Sequence, residues 1–234
     1  MSSPSEGEGP PLQPIKAPAA KSSGPWGFWA TLGWLALATI LGFMLALRLG
    51  PLLQDLVFDV IAVGVLAIAA WSSRLPVENY FALQWPERKD LRYLIAGFAM
   101  LAAISAVEAL LIYLSVPHGN DDRRQIEAQL EGTLPLFLFL VLALIYAPVC
   151  EELIFRGFIF RGWSQTYLGP VGTIWLTALL FGLNHTYSIY AVLDATCFGL
   201  VAGWTRWRSR SISVPILLHV IKNCLATIAG FFDV

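Results

Sequence analysis

The stretch LFLFLVLALIYAPVCEELIFRGFIF, residues 136–160, decides how the rest of the chain is read. It is apolar over a length that crosses a hydrocarbon core about 30 Å thick, for which about 20 helical residues suffice. Yet it carries Glu151, Glu152 and Arg156 towards its C-terminal end. Each such charge costs roughly 2.5–3.5 kcal/mol at the centre of a span on insertion scales, so its presence asks for a reason.

Working outward, the whole chain shares this character. Its 234 residues are 57% hydrophobic and 13% charged, with mean hydropathy +0.66. Soluble domains run about 45–50% apolar and about 25% charged. Six more apolar blocks stand at 26–48, 52–71, 92–116, 171–188, 189–206 and 213–232. Together with 134–160 they predict an all-α fold, a polytopic transmembrane helical bundle of about seven spans. Trp71, Trp85, Trp163, Trp204 and Trp207 fall at or just beyond span ends, as an aromatic belt does. Residues 1–25, mostly Pro, Ser, Glu and Gly, predict a disordered polar tail. Glu6, Glu8 and the lack of a basic n-region set that tail apart from a secretory signal. The chain thus divides into the tail at 1–25, N-terminal transmembrane helices and loops over 26–133, and a core over 134–234. A net charge of −1 without a basic stripe excludes a nucleic-acid-binding domain. Three widely spaced Cys exclude a disulfide scaffold.

Orientation follows from the basic residues. With the N-terminus inside, eleven of the fifteen Lys and Arg fall in inner segments. Only Arg48, Arg123 and Arg124 fall in outer loops, and Lys222 lies within a span. The expectation is an integral protein of the cell membrane with a cytoplasmic N-terminus.

Two further polar clusters interrupt apolar blocks: FGLNH, ending at His185, and HVIKN, with His219 and Asn223. The remaining His, His118, sits in a loop. Glu152 and Arg156 are spaced i, i+4 with Glu first, the better orientation for a helical ion pair. Glu151, about 100° around the helix, is free to face elsewhere. Phe181 and His185 share a face of one predicted helix, and His219 and Asn223 share a face of another. Brought together, the three clusters supply a carboxylate, two imidazoles and a carboxamide around one cavity. Those groups suit amide hydrolysis. A carboxylate removed from bulk water can take a proton from a bound water. One imidazole can share that water, and a second imidazole with the carboxamide can hold the developing oxyanion. On these boundaries His219 lies about 9 Å and His185 about 21 Å from the inner edge, at about 1.5 Å per residue. Convergence therefore needs tilt, or a fifth helix that starts deeper, after Gly169 and Pro170.

At these residues the chain resembles the CPBP family, the CAAX proteases and bacteriocin-processing enzymes also called Abi proteins. The family's EExxxR, FxxxH and HxxxN motifs stand here in order at 151–156, 181–185 and 219–223. The resemblance covers about residues 134–226 and makes 134–234 the catalytic core. It implies a glutamate-dependent intramembrane endopeptidase. Glu151 would be the general base and His185 would help to activate the water. His219 and Asn223 would form the oxyanion hole, with Glu152 and Arg156 in support. The implied substrates are membrane-associated or lipidated proteins, cut near a C-terminus or membrane anchor.

No cofactor is expected. The HExxH zinc signature is absent, although Glu151, His185 and His219 are zinc-ligand types and a zinc-dependent version stays open. Two other classes are alternatives: a catalytically silent membrane scaffold or bacteriocin-immunity protein of the same fold, and a transporter that relays protons. The lack of visible repeat symmetry speaks against the transporter. Asp55, Asp59, Glu108 and Asp194 are expected as packing or cavity polar groups. Lys222 is expected to snorkel, to line the cavity or to pair with an acid.

Overall fold

A computed structural model describes residues 26–114, 136–186 and 188–232. The tail at 1–25, the loop with His118, Arg123 and Arg124, and Tyr187 lie outside the described residues. The described residues form helices α1 (Phe28–Ala46), α2 (Pro51–Ser72), the short α3 (Val77–Phe81), α4 (Leu91–Tyr113), α5 (136–163), α6 (Gly169–Leu183), α7 (Ile189–Ser209) and α8 (Ser213–Phe232). No strand occurs among them. The all-α membrane bundle is as expected, and each of the seven expected spans overlaps a helix. Three stretches, Phe28–Ala46, Leu53–Ser72 and Arg88–Leu111, are long and apolar enough to cross a membrane by length and composition.

Helices α1 and α2 form a hairpin that meets through small residues. Ala38, Gly42 and Ala46 are buried along one stripe of α1, where Ala38 shares a cluster with Ala62, Leu66, Ala69 and Ala70 of α2, while the buried Thr31 meets Gly162 of α5. In lipid the apolar effect does not press helices together, so close backbone approach and dispersion must do it. A Cβ added to Gly42 would stand 2.9 Å from the Phe58 ring. Outward, Trp29, Ile40, Met44 and Ile68 are exposed, as lipid-facing side chains are. The hairpin is tied to α5 by the Trp163 indole, which donates to the Phe28 carbonyl at 3.2 Å and stacks on the Phe28 ring at 4.9 Å.

The decisive stretch is one continuous helical path that widens twice. Turns of π-helix at Leu142–Tyr146 and Leu153–Ile159 bracket the short α-helical piece Ala147–Glu152. Pro148 gives the first a local cause: it has no N–H to donate and its ring crowds the carbonyl four residues back. Wide turns of this kind are rare and concentrate at functional sites. Each carries a carbonyl that accepts from a side chain of another helix. Ala143 accepts from Asn223 Nδ2 at 3.1 Å, and Arg156 accepts from Arg206 Nε at 3.0 Å.

Helices α6 and α7 pack closely. At Gly199 of α7 a Cβ would fall 2.8 Å from the Ala178 Cα of α6, so only glycine permits this approach. The sequence places the fifth span at 171–188, but α6 starts at Gly169 and ends at Leu183, five residues short of that reading. The run of apolar residues hides a turn there. Ser188 takes an extended conformation (φ −152°) and its side chain accepts from the Ala191 N–H at 3.0 Å, which starts α7. His185 is therefore beyond the end of α6 rather than on its face.

Candidate active site

The EExxxR pair is in place. Arg156 Nη1 donates to Glu152 Oε1 at 3.0 Å, and both side chains are fully buried. Arg156 Nη2 also donates to the Gly199 carbonyl at 3.3 Å, and its guanidinium carbon lies 4.6 Å from the centre of the Phe181 ring. Burying such a pair is tolerable only when further hydrogen bonds complete it. A second bond to Glu152 comes from α8: His219 Nδ1 lies 3.1 Å from Glu152 Oε1. The other ring nitrogen, His219 Nε2, faces Glu151 Oε2 at 3.7 Å. One imidazole is thus flanked by both carboxylates.

The two glutamates differ in access. The Glu152 side chain is wholly buried, while one fifth of the Glu151 side chain is exposed. Adjacent residues on a helix point about 100° apart, which lets one face the helix bundle and the other an accessible space. Asp59 and Asp55 of α2 are close enough to act on Glu151 electrostatically, so that α2 adds two more carboxyl groups to the same region. Tyr146 of the first wide turn donates to the Leu56 carbonyl at 3.1 Å, holding α2 against α5 there.

Aromatic rings fill the space between the ionic groups. The Phe181 ring lies 4.9 Å from the His185 ring and 5.8 Å from the His219 ring. Phe198 of α7 lies 4.4 Å from His219 and 5.7 Å from Phe181. His185 Nδ1 is 2.9 Å from the Phe181 carbonyl, a contact that closes the end of α6 and fixes the ring beyond the helix. Asn223, one turn along α8 from His219, is anchored to Ala143 as described.

Glu151, Glu152, Arg156 and His219 are brought into direct contact. His185 joins them through Phe181, and Asn223 stands one helical turn from His219. Lys222 pairs with Asp194 of α7 at 2.7 Å, in a half-exposed bridge, and Glu108 of α4 feels both charges. Phe198 and Gly199 are functional neighbours that the sequence does not signal, because an aromatic and a glycine within an apolar helix carry no polar mark. Among the described residues no group of three His, Cys, Asp or Glu side chains is arranged to hold a metal ion. Glu152 Oε1 is already shared by Arg156 and His219.

The UPF0177 protein YbdI of Lactococcus lactis is 26% identical over 137 residues, which is 57% of this chain and 74% of that protein. An uncharacterized 24.3 kDa protein of Escherichia coli is 30% identical over 101 residues, 41% of this chain and 45% of its own length. The YdiL protein of Bacillus subtilis, provisionally named a membrane peptidase, is 25% identical over 140 residues, 59% of this chain and 56% of its own. The chain spans about half the length of the latter two. No solved structure matches it. Residues 133–225, which hold all three motifs, match the Rce1-like family, described as type II CAAX prenyl endopeptidase Rce1-like, and so bear out the resemblance read from EELIFRG, FGLNH and HVIKN.

Proposed function

We propose that the protein is an intramembrane endopeptidase in which Glu151 activates the attacking water. The observation that carries this reading is the contrast between the two adjacent glutamates. Glu152 is buried and held by Arg156 and His219, while Glu151 is partly exposed and faces the free side of the same imidazole. A fixed acid behind the ring and an accessible one before it divide support from reaction.

In this reading Glu151 takes a proton from water as the oxygen adds to the scissile carbonyl carbon, and returns it to the departing amine. His185, fixed beyond the end of α6, shares that water. With Nδ1 donating to Glu152, His219 turns Nε2 towards Glu151. That nitrogen either accepts a proton from the carboxyl group or, once protonated, donates to the oxyanion. The Asn223 amide has two N–H bonds. One is committed to the Ala143 carbonyl, and the other is left for the oxyanion. The carbonyl released by the first wide turn of α5 thus serves to orient a reactive group.

The family match supports a protein substrate in or at the membrane, cut near a C-terminus or anchor; lipidated CAAX tails and processed bacteriocin or anchor segments share that chemistry. The distribution of Lys and Arg supports a cytoplasmic N-terminus in the cell membrane. None of the steps needs a metal. The test is cleavage of a tethered peptide by purified protein in liposomes. Wild type, Glu151→Gln and His219→Ala are compared, with and without chelator. Wild type should cleave in chelator and both variants should not. Equal cleavage by wild type and Glu151→Gln would refute the glutamate mechanism, and equal silence of all three would favour a scaffold. Loss of activity in chelator, restored by zinc, would make the enzyme a metallopeptidase.

A further inference from the structure

A cavity of about 550 Å³ opens at the end of the bundle where α5, α7 and the start of α4 meet. Four arginines line it: Arg161 from α5, with Arg206, Arg208 and Arg210 from α7 and its end. No Asp or Glu lines it. Among the described residues none of the four is in a salt bridge. Arg206 is only 6% exposed. One of its nitrogens donates to the Arg156 carbonyl, and its guanidinium carbon lies 5.3 Å from the Phe160 ring centre. Its positive charge and that of Arg161 repel each other. Arg161 Nε is buried without a hydrogen-bond partner. Arg210 stands in the left-handed region at φ +58°, a helix-end position that glycine takes at lower cost.

Buried charge in lipid is ordinarily paired, and this cluster has cations without an anion of its own. The guanidinium fork matches phosphate oxygens in pairs. Its surroundings say which phosphate. Trp207 and Tyr93 line the same cavity, and such residues sit at headgroup depth. Leu91 and Ile95, one turn apart on the face of α4 away from Tyr93, are exposed, so the depth at which Tyr93 stands is one where apolar side chains meet lipid. We infer that this cavity is a binding site for the phosphate headgroup of an anionic phospholipid. Arg161 follows Glu151 by ten residues along α5, and none of Glu151, Glu152, His185, His219 and Asn223 lines the cavity, so it is separate from the candidate active site.

The test is lipid retention by the purified full chain. Protein in detergent is given equimolar phosphatidylglycerol and phosphatidylcholine, and bound lipid is counted by native mass spectrometry, with and without inorganic phosphate. Wild type should retain phosphatidylglycerol preferentially. Arg161→Gln/Arg210→Gln should lose about fivefold in that preference for each arginine removed, the weight of one basic residue at an anionic surface. Arg48→Gln should change nothing. Equal retention of the two lipids by wild type, or unchanged preference in the double variant, overturns the proposal. So does complete displacement of lipid by millimolar inorganic phosphate, which would make the occupant a free anion. If the double variant does not fold, Arg208→Gln, whose side chain is exposed, carries the same comparison.

Discussion

Arg156 and Arg206 lie one hydrogen bond apart and are both buried, yet their surroundings are opposites. Arg156 is bonded to the Glu152 carboxylate and the Gly199 carbonyl and lies against an aromatic face, with Glu151 adding negative charge nearby, so its charge is answered within the protein. Arg206 has a carbonyl and an aromatic face but no acid, and the charge that acts on it is that of another arginine, Arg161. Burial alone therefore says little about role. The internally balanced arginine belongs to a closed apparatus that holds one glutamate still beside another. The unbalanced one belongs to a surface that awaits charge from outside.

The largest effect that could break this contrast concerns the apparatus itself. Glu151→Gln should lower tethered-peptide cleavage by about 10²–10⁴-fold, the range for a lost general base, while the thermal melt stays near wild type because that side chain is partly exposed. Next comes Arg156→Met, which strands Glu152 and should cost about 3–5 kcal/mol in detergent unfolding. Arg206→Met should cost less, about 1–3 kcal/mol, since it removes a hydrogen bond to a carbonyl without stranding an acid. Equal losses in these two would erase the distinction drawn between them. The double variant Glu152→Leu/Arg156→Met sharpens it: most of the stability should return, as for other buried pairs replaced by apolar groups, but not the activity. The smallest effect is expected at the half-exposed bridge, where Asp194→Asn should cost no more than about 1 kcal/mol. A loss on the scale of Arg156→Met there would show that α7 and α8 are held by this pair.

What the sequence revealed follows the reach of helical spacing. The Glu152–Arg156 bond is an i, i+4 contact within one helix, and its geometry is written in the residue numbers. The wide α5 turns are announced only by Pro148, and only the first of them. Contacts between helices depend on register and tilt, which spacing does not encode. The Lys222–Asp194 bridge, the second bond to Glu152 from His219 and the Asn223–Ala143 anchor were consequently out of reach in detail. His185 was placed on a helix face because apolar residues run on past Leu183; the turn shows only in the backbone and in the cap at Ser188. The arginines of the second cavity were visible as topological markers, and their convergence was not.

The shortness of α6 bears on the bilayer as well as on His185. Fifteen residues reach about 22 Å along a helix axis, against about 30 Å of hydrocarbon. A shortfall of about 8 Å is met by lipid that thins locally or by water that enters over the helix end, at fractions of a kcal/mol per Å. Either adjustment would bring water closer to His185. A polar backbone bound for hydrolysis would then cross less oil to reach the site, and the protein would fit thin membranes better than thick ones.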